Sequence, residues 1–267
     1  MIKLLLQMPS YFGQILEIIP LHVKGNQFIK DNKLWKGLFE LKWVLWLSIG
    51  LGLIVSFLFI NACYAWMKEL FFTDHGDLGI FSSSTLSSSF NVFGQAIAID
   101  GGLKYLILIF ADVIIFHCTV TTVNILSGNT QKPSFRDFVN AEKRMIRVSF
   151  TAWILEMIAG IIVAVILGII GLDFLKDIVL LILEFYFIGH LFLDNYNEQY
   201  GLSVKESFNV IKVHAGAAIG IGFVAYILFF IPIVGLVVAP ILGAVTGAIY
   251  MYSKNVNAEL ERDLELV

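Results

Sequence analysis

Long stretches of this chain carry no charge at all, and that limits its folds more than any other feature. Residues 43–66 contain no Asp, Glu, Lys or Arg and are bounded by Trp43 and Trp66. A helix rising 1.5 Å per residue crosses the roughly 30 Å hydrocarbon core of a bilayer in about 20 residues, and aromatic side chains settle at its interfaces. Further apolar blocks follow. Residues 103–126 are interrupted by Asp112 and His117, and the runs 148–170 and 174–193 are separated only by Gly171, Leu172 and Asp173. Residues 215–252 are broken by Pro232 and Pro240. With 58% of residues in the AVILMFWYC set and 15% charged, against about 25% charged in a soluble domain, the chain reads as an integral membrane protein. A net charge of −3 without a basic arm excludes a nucleic-acid footprint.

The expected fold is all-α and a single membrane domain over 1–267. An amphipathic lead-in (1–42) precedes a transmembrane helix (43–66), a polar external loop (67–102) and a second transmembrane helix (103–126). A basic cytoplasmic loop (127–147), a helical hairpin (148–193), a polar cytoplasmic loop (194–214), a Pro-broken hairpin (215–252) and a cytoplasmic tail (253–267) complete it. Pro20 and Gly25 divide the lead-in into two interfacial helices lying on the membrane surface. Residues 215–231 reach only about 25 Å as a helix, so the last hairpin is expected to enter and leave on one side. Cys63 and Cys118 lack partners at metal-ligand spacing and are read as packed thiols. Pro9 and Ser10 interrupt the N-terminal run before a cleavable signal forms.

Orientation follows from the cations. In this layout 15 of the 18 Lys and Arg residues fall in the lead-in, the 127–147 and 194–214 loops and the tail. Only Lys68, Lys104 and Lys176 fall on the other side, which places both termini in the cytoplasm.

Four segments then carry a resemblance by their order: KGNQFIKDNKLWK before the first span, RDFVNAEKRMIR before the first hairpin, FLDNYNEQYGLSVKESFNVIK between the hairpins, and FIPIVGLVVAPILGAVTGAIYMY in the last. They resemble the sulfate-permease-like family, which joins bacterial sulfate transporters with the etoposide-induced membrane proteins of eukaryotes. The resemblance implies two transmembrane helices plus two partly penetrating hairpins, sulfate uptake and, for the bacterial branch, the inner membrane. Its anion-binding Gly-Leu-Arg step falls near Lys33, Leu34, Trp35 and Lys36, where lysine stands for the arginine.

Intramembrane polar residues are the other candidates, because a charge at mid-bilayer costs about 2.5 kcal/mol or more and is retained facing protein or water. Asp112, His117, Glu156, Glu184 and His190 qualify. They form either a proton-relaying path or bonds that hold hairpin arms together. Asp112 and His117 are five apart, about 140° around a helix, and do not share a face. Pro232 and Pro240 free the carbonyls of Leu228 and Leu236, and an arm restarting after Pro232 would aim the amides of Ile233, Val234 and Gly235 at an oxyanion. Gly235, Ala239, Gly243 and Gly247 at four-residue spacing suit close helix packing and a homo-oligomer.

No catalytic, cofactor or metal motif is present, so an enzyme is not expected. The reading is a permease for a small inorganic, sulfate-like anion, proton-coupled through Glu156, Glu184 or Asp112. The alternative is a non-transporting scaffold or envelope protein built from the same hairpins.

Overall fold

A computed structural model of the chain describes residues 2–36, 103–129, 135–229, 231 and 234–265, together with Gly50, Leu53 and Phe57. Apart from those three positions, the first expected span (43–66) and the external loop (67–102) lie outside the described residues, as does Ile233. The described residues form seven α-helices and no strand. They are α1 (Ile2–Asp31), α2 (Leu103–Ser127), α3 (Phe135–Ile169), α4 (Lys176–Gln199), α5 (Val204–Val213), α6 (Ala215–Phe229) and α7 (Val234–Glu265). A short 3₁₀ turn, Asp173–Leu175, joins α3 to α4. Among the described residues, three stretches are long and apolar enough to cross a membrane: Ile107–Ser127, Arg136–Ile169 and Val234–Asn255.

Side-chain contacts fix the directions. Tyr105 meets Glu156 and Phe116 meets Phe138, so α2 and α3 are antiparallel. Arg144 meets Asp194, and Gly160 lies beside Leu180, closing α3 and α4 into a hairpin. Gly189 packs on Ala218 and Gly222 on Phe185, which runs α6 against α4. One end of the bundle, the α5 end, therefore gathers the end of α2, the start of α3, the end of α4, α5 and the C-terminal half of α7. α5 is bent 93° from α6 and lies across this end. It starts on a capping box in which Ser203 Oγ accepts from the Glu206 amide at 3.4 Å and Glu206 Oε2 from the Ser203 amide at 2.8 Å.

The core lies between α1, α2, α4, α6 and α7, around Ile18, Leu108, Ile188, Phe192, Tyr196, Ile221 and Tyr250, all fully buried. The distal part of the α3–α4 hairpin projects from it with apolar side chains uncovered: Ile169 is 79% and Phe174 74% exposed.

Three expectations change. The lead-in is one helix through Pro20 and Gly25, and it packs lengthwise on the last hairpin instead of standing apart. Glu17 pairs with Lys254 at 2.8 Å, and Gly25 sits against Thr246, so α1 runs antiparallel to α7. Phe12, Leu16, Ile19 and Val23, spaced four, three and four residues apart, form an exposed apolar stripe on its outer side. Secondly, the basic segment 135–147 is helical and continuous with the first hairpin arm. Thirdly, Pro240 does not break the last block, because α7 passes through it.

The path of α1 also divides the lysines. Continuing antiparallel to α7, residues 30–36 lie level with the first turns of α7, on the order of 20 Å along the bundle from Lys254. Lys30, Lys33 and Lys36 thus lie toward the opposite end from Arg136, Lys143 and Arg144, although the charge tally grouped them on one side.

Candidate functional site

The face of α2 carrying Tyr105, Asp112, Phe116 and Val120, spaced seven, four and four residues apart, looks into the groove between α3 and α4. This stripe organises the buried polar chemistry. Near its start, Tyr105 donates a 2.7 Å hydrogen bond to Glu156 Oε2 on α3. Two turns further, about 10 Å at 1.5 Å per residue, Asp112 is fully buried. Asn195 Nδ2 on α4 donates to Asp112 Oδ1 at 3.2 Å and to the Leu191 carbonyl at 3.4 Å. Asp112 Oδ2 and Asn195 Oδ1 are buried without a hydrogen-bond partner. Such orphaned atoms are rare and mark a place where water, an ion or a proton completes the set.

Beside this pair, Arg144 of α3 makes a two-pronged contact with Asp194 of α4. Nη2 donates to Oδ1 at 2.9 Å and Nε to Oδ2 at 3.0 Å. A further Nη1 bond reaches the carbonyl of Leu202, and Glu198 Oε2 stands 3.9 Å from Nε. The fork geometry of arginine suits this double acceptor. Leu202 is held there by the end of α4, where Gly201 (φ 72°) lets its own amide bond the Glu198 carbonyl and that of Leu202 the Asn197 carbonyl.

One turn beyond Asp112, Phe116 meets the ring of Phe138 edge-on at 6.1 Å. Above it opens a cavity of about 540 Å³ at the α5 end. Phe116 and Val120 line its floor. Its walls are Asn124, Ser127, Asn129, Asp137, Asn140, Glu198, Gln199 and Tyr200, with Val123. This vestibule is acidic and amide-rich among the described residues. Burial pushes the Glu198 carboxyl up to about 7, with Arg144 opposing the rise and Asp194 adding to it.

The folded chain therefore keeps the Glu198 proton to about pH 7, while the unfolded chain releases it near the ordinary value of 4.5. More protons are bound in the folded state across that interval, so stability falls as pH rises from about 4.5 to 7. Thermal unfolding in detergent across this range is expected to give a flatter profile for Glu198→Gln than for the parent; equal slopes would remove Glu198 as the source.

Of the other candidates, Glu156 stands at the far end of this stripe, bonded to Tyr105, while Glu184 and His117 are half-buried on α4 and α2. His190 is fully buried one turn before Asp194 and faces α5, its ring 3.9 Å from that of Phe208. Lys33 and Lys36 are exposed. Lys33 takes a left-handed backbone (φ 51°) because it caps α1: its amide bonds the Lys30 carbonyl and that of Leu34 the Ile29 carbonyl, with Leu34 and Ile29 both buried.

At the hairpin break, the Gly235 amide donates to Ile231 at 2.7 Å, and the Leu228 carbonyl accepts from the Ile231 amide at 2.9 Å. Gly235 is packed directly on Leu228, and Val234 is 56% exposed. The Gly235 amide, expected to face an oxyanion, and the Leu228 carbonyl, expected to be freed by Pro232, are thus both spent within the turn itself.

Sequence reasoning missed Asp194, Asn195 and Glu198. The signal was present in DNYNEQ: if the hairpin arm continues helically, Asp194 and Glu198 follow His190 at i, i+4 and i+8 along one side of the helix.

The described residues are thus all-helical and include helices of membrane-spanning length and apolarity. No family model matches it, and no match was found among curated proteins or solved structures.

Proposed function

We propose that the protein is a helical membrane permease whose polar path runs along one face of α2, from the vestibule through Asp112 toward Tyr105 and Glu156. The observation that carries this reading is Asp112 itself. It is a fully buried carboxyl on a helix of membrane-spanning length, one turn beneath the floor of an open polar cavity, with one oxygen unpartnered. A packing role alone gives no reason to retain such a group where an apolar residue would cost less. The α5 end, with Arg136, Lys143, Arg144, Lys205 and Lys212, is taken as cytoplasmic. Protons enter from the vestibule by way of Glu198 and exchange at Asp112 when the Phe116–Phe138 contact parts. The resemblance to sulfate permeases makes sulfate the first solute to try.

The test is uptake into proteoliposomes with and without an imposed pH gradient, with internal pH followed by a trapped dye. Asp112→Asn keeps shape and hydrogen bonding but has no titratable proton, and is expected to reduce the pH-driven component at least tenfold. An unchanged rate would remove Asp112 from the path. Absence of any flux above empty vesicles, for protons and solutes alike, would favour the scaffold reading.

A further inference from the structure

The walls of the vestibule and the charges beneath it agree on one sign. Among the described residues, the cavity presents the carboxyl groups of Asp137 and Glu198 together with side-chain amides, and no lysine or arginine. Below the floor, Asp112 has as charged neighbours Glu142 on α3 and Asp194 and Glu198 on α4. The cation set against these four carboxyl groups is Arg144, and its donors are engaged by Asp194 and the Leu202 carbonyl. At the centre, Asp112 Oδ2 and Asn195 Oδ1 are sealed acceptor oxygens with no donor. An oxyanion adds acceptors and negative charge to a site already in excess of both, whereas a hard cation takes oxygen ligands of this kind.

We propose that the solute bound at the Asp112–Asn195 pair is a small monovalent cation, an alkali ion or ammonium, reached through the acidic vestibule. This rests on the permease reading and replaces the sulfate expectation within it. The carboxylate of Asp112 holds either a proton or this ion, so binding the ion releases the proton, and the two exchange at one group. The groups facing Asp112 are Glu142 from α3 and Asn195, Asp194 and Glu198 from α4, with Arg144 engaged beyond them on Asp194. The carboxylates among them favour either occupant, and Arg144 is neutralised in place.

The full-length protein in detergent is to be titrated with sodium, potassium or ammonium chloride at constant ionic strength, balanced with N-methylglucamine chloride. Thermal unfolding is the readout. A saturable rise with one of the three cations is expected, weaker at pH 6 than at pH 8, with apparent affinity at least tenfold lower in Asp112→Asn. If that variant does not fold, Asn195→Ser, which keeps the carboxyl, is expected to lose affinity by a similar factor. Stabilisation by N-methylglucamine sulfate but by none of the three cations overturns the proposal, as does an affinity unchanged in the variant that folds. Loss of cation binding alongside Asp112-dependent proton flux in vesicles would sink this inference alone. Saturable cation binding without flux of proton or ion would sink the permease reading and leave the binding site standing.

Discussion

Replacing Arg144 with methionine is expected to destabilise the folded protein by about 3–5 kcal/mol, the usual cost of removing one partner of a buried ion pair. The reason lies with the partner left behind. Asp194 is 2% exposed and receives two hydrogen bonds from the guanidinium, so truncation strands a carboxylate that has no other charged donor among the described residues. The Leu202 carbonyl loses its donor in the same step, loosening the turn between α4 and α5. For a chain of this size that loss corresponds to a fall in unfolding temperature of roughly 5–10 °C. Arg144→Lys keeps the charge without the fork and is expected to fall between. The double variant Arg144→Met, Asp194→Leu removes the stranded charge and is expected to recover most of the loss. If the double variant is as unstable as the sum of both single changes, the pair is not an interacting unit.

What the sequence makes legible, and what it hides, follows from the range of each interaction. Charge-free length is a local property, and it identifies α2, the α3–α4 hairpin and the last block, because each must bury or insulate its own backbone. Asp112 stands out for the same reason, as a carboxylate inside such a run.

The partners of Asp112 are another matter. Asn195 lies 83 residues from it, and Arg144 lies 50 residues from Asp194, the neighbouring carboxylate that it holds; both meetings depend on the register of α2 and α3 against α4, which no local pattern sets. Reading 194–214 as a loop hid the network, since Asp194, Asn195 and Glu198 act from a helix that outlasts its apolar run. The lead-in misled differently. Pro20 and Gly25 read as breaks, yet α1 continues through both, and Gly25 brings it against Thr246. A proline alone is weak evidence of a helix end when neighbouring helices support the segment, as Pro240 shows again in α7.

The second large effect is expected at Gly189 and Gly222, where α4 and α6 come closer than any side chain allows. A Cβ on Gly189 overlaps the Ala218 carbonyl, and one on Gly222 overlaps the Phe185 carbonyl, both far inside van der Waals contact. The obstacle is backbone on each side, so no rotamer change relieves it, and the helices must part or slide. Parting them opens gaps around Phe185, whose ring meets those of Phe223 and Tyr226 on α6, and forfeits dispersion contacts along the interface. The shift reaches the site as well, because α4 carries Asn195, and an ångström of movement breaks a hydrogen bond that is already 3.2 Å long. Gly189→Ala and Gly222→Ala are therefore each expected to lower stability by about 3 kcal/mol or more, beyond the usual range for overpacking, with loss of any Asp112-dependent flux. Gly160→Ala is the control. It lies in the hairpin arm, its Cβ would meet only the Leu180 side chain at 3.5 Å, an ordinary contact, and alanine is the better helix former by about 1 kcal/mol. Unfolding temperatures in detergent should separate the first two variants from the third; three equal values would mean that α4 and α6 are not packed backbone to backbone.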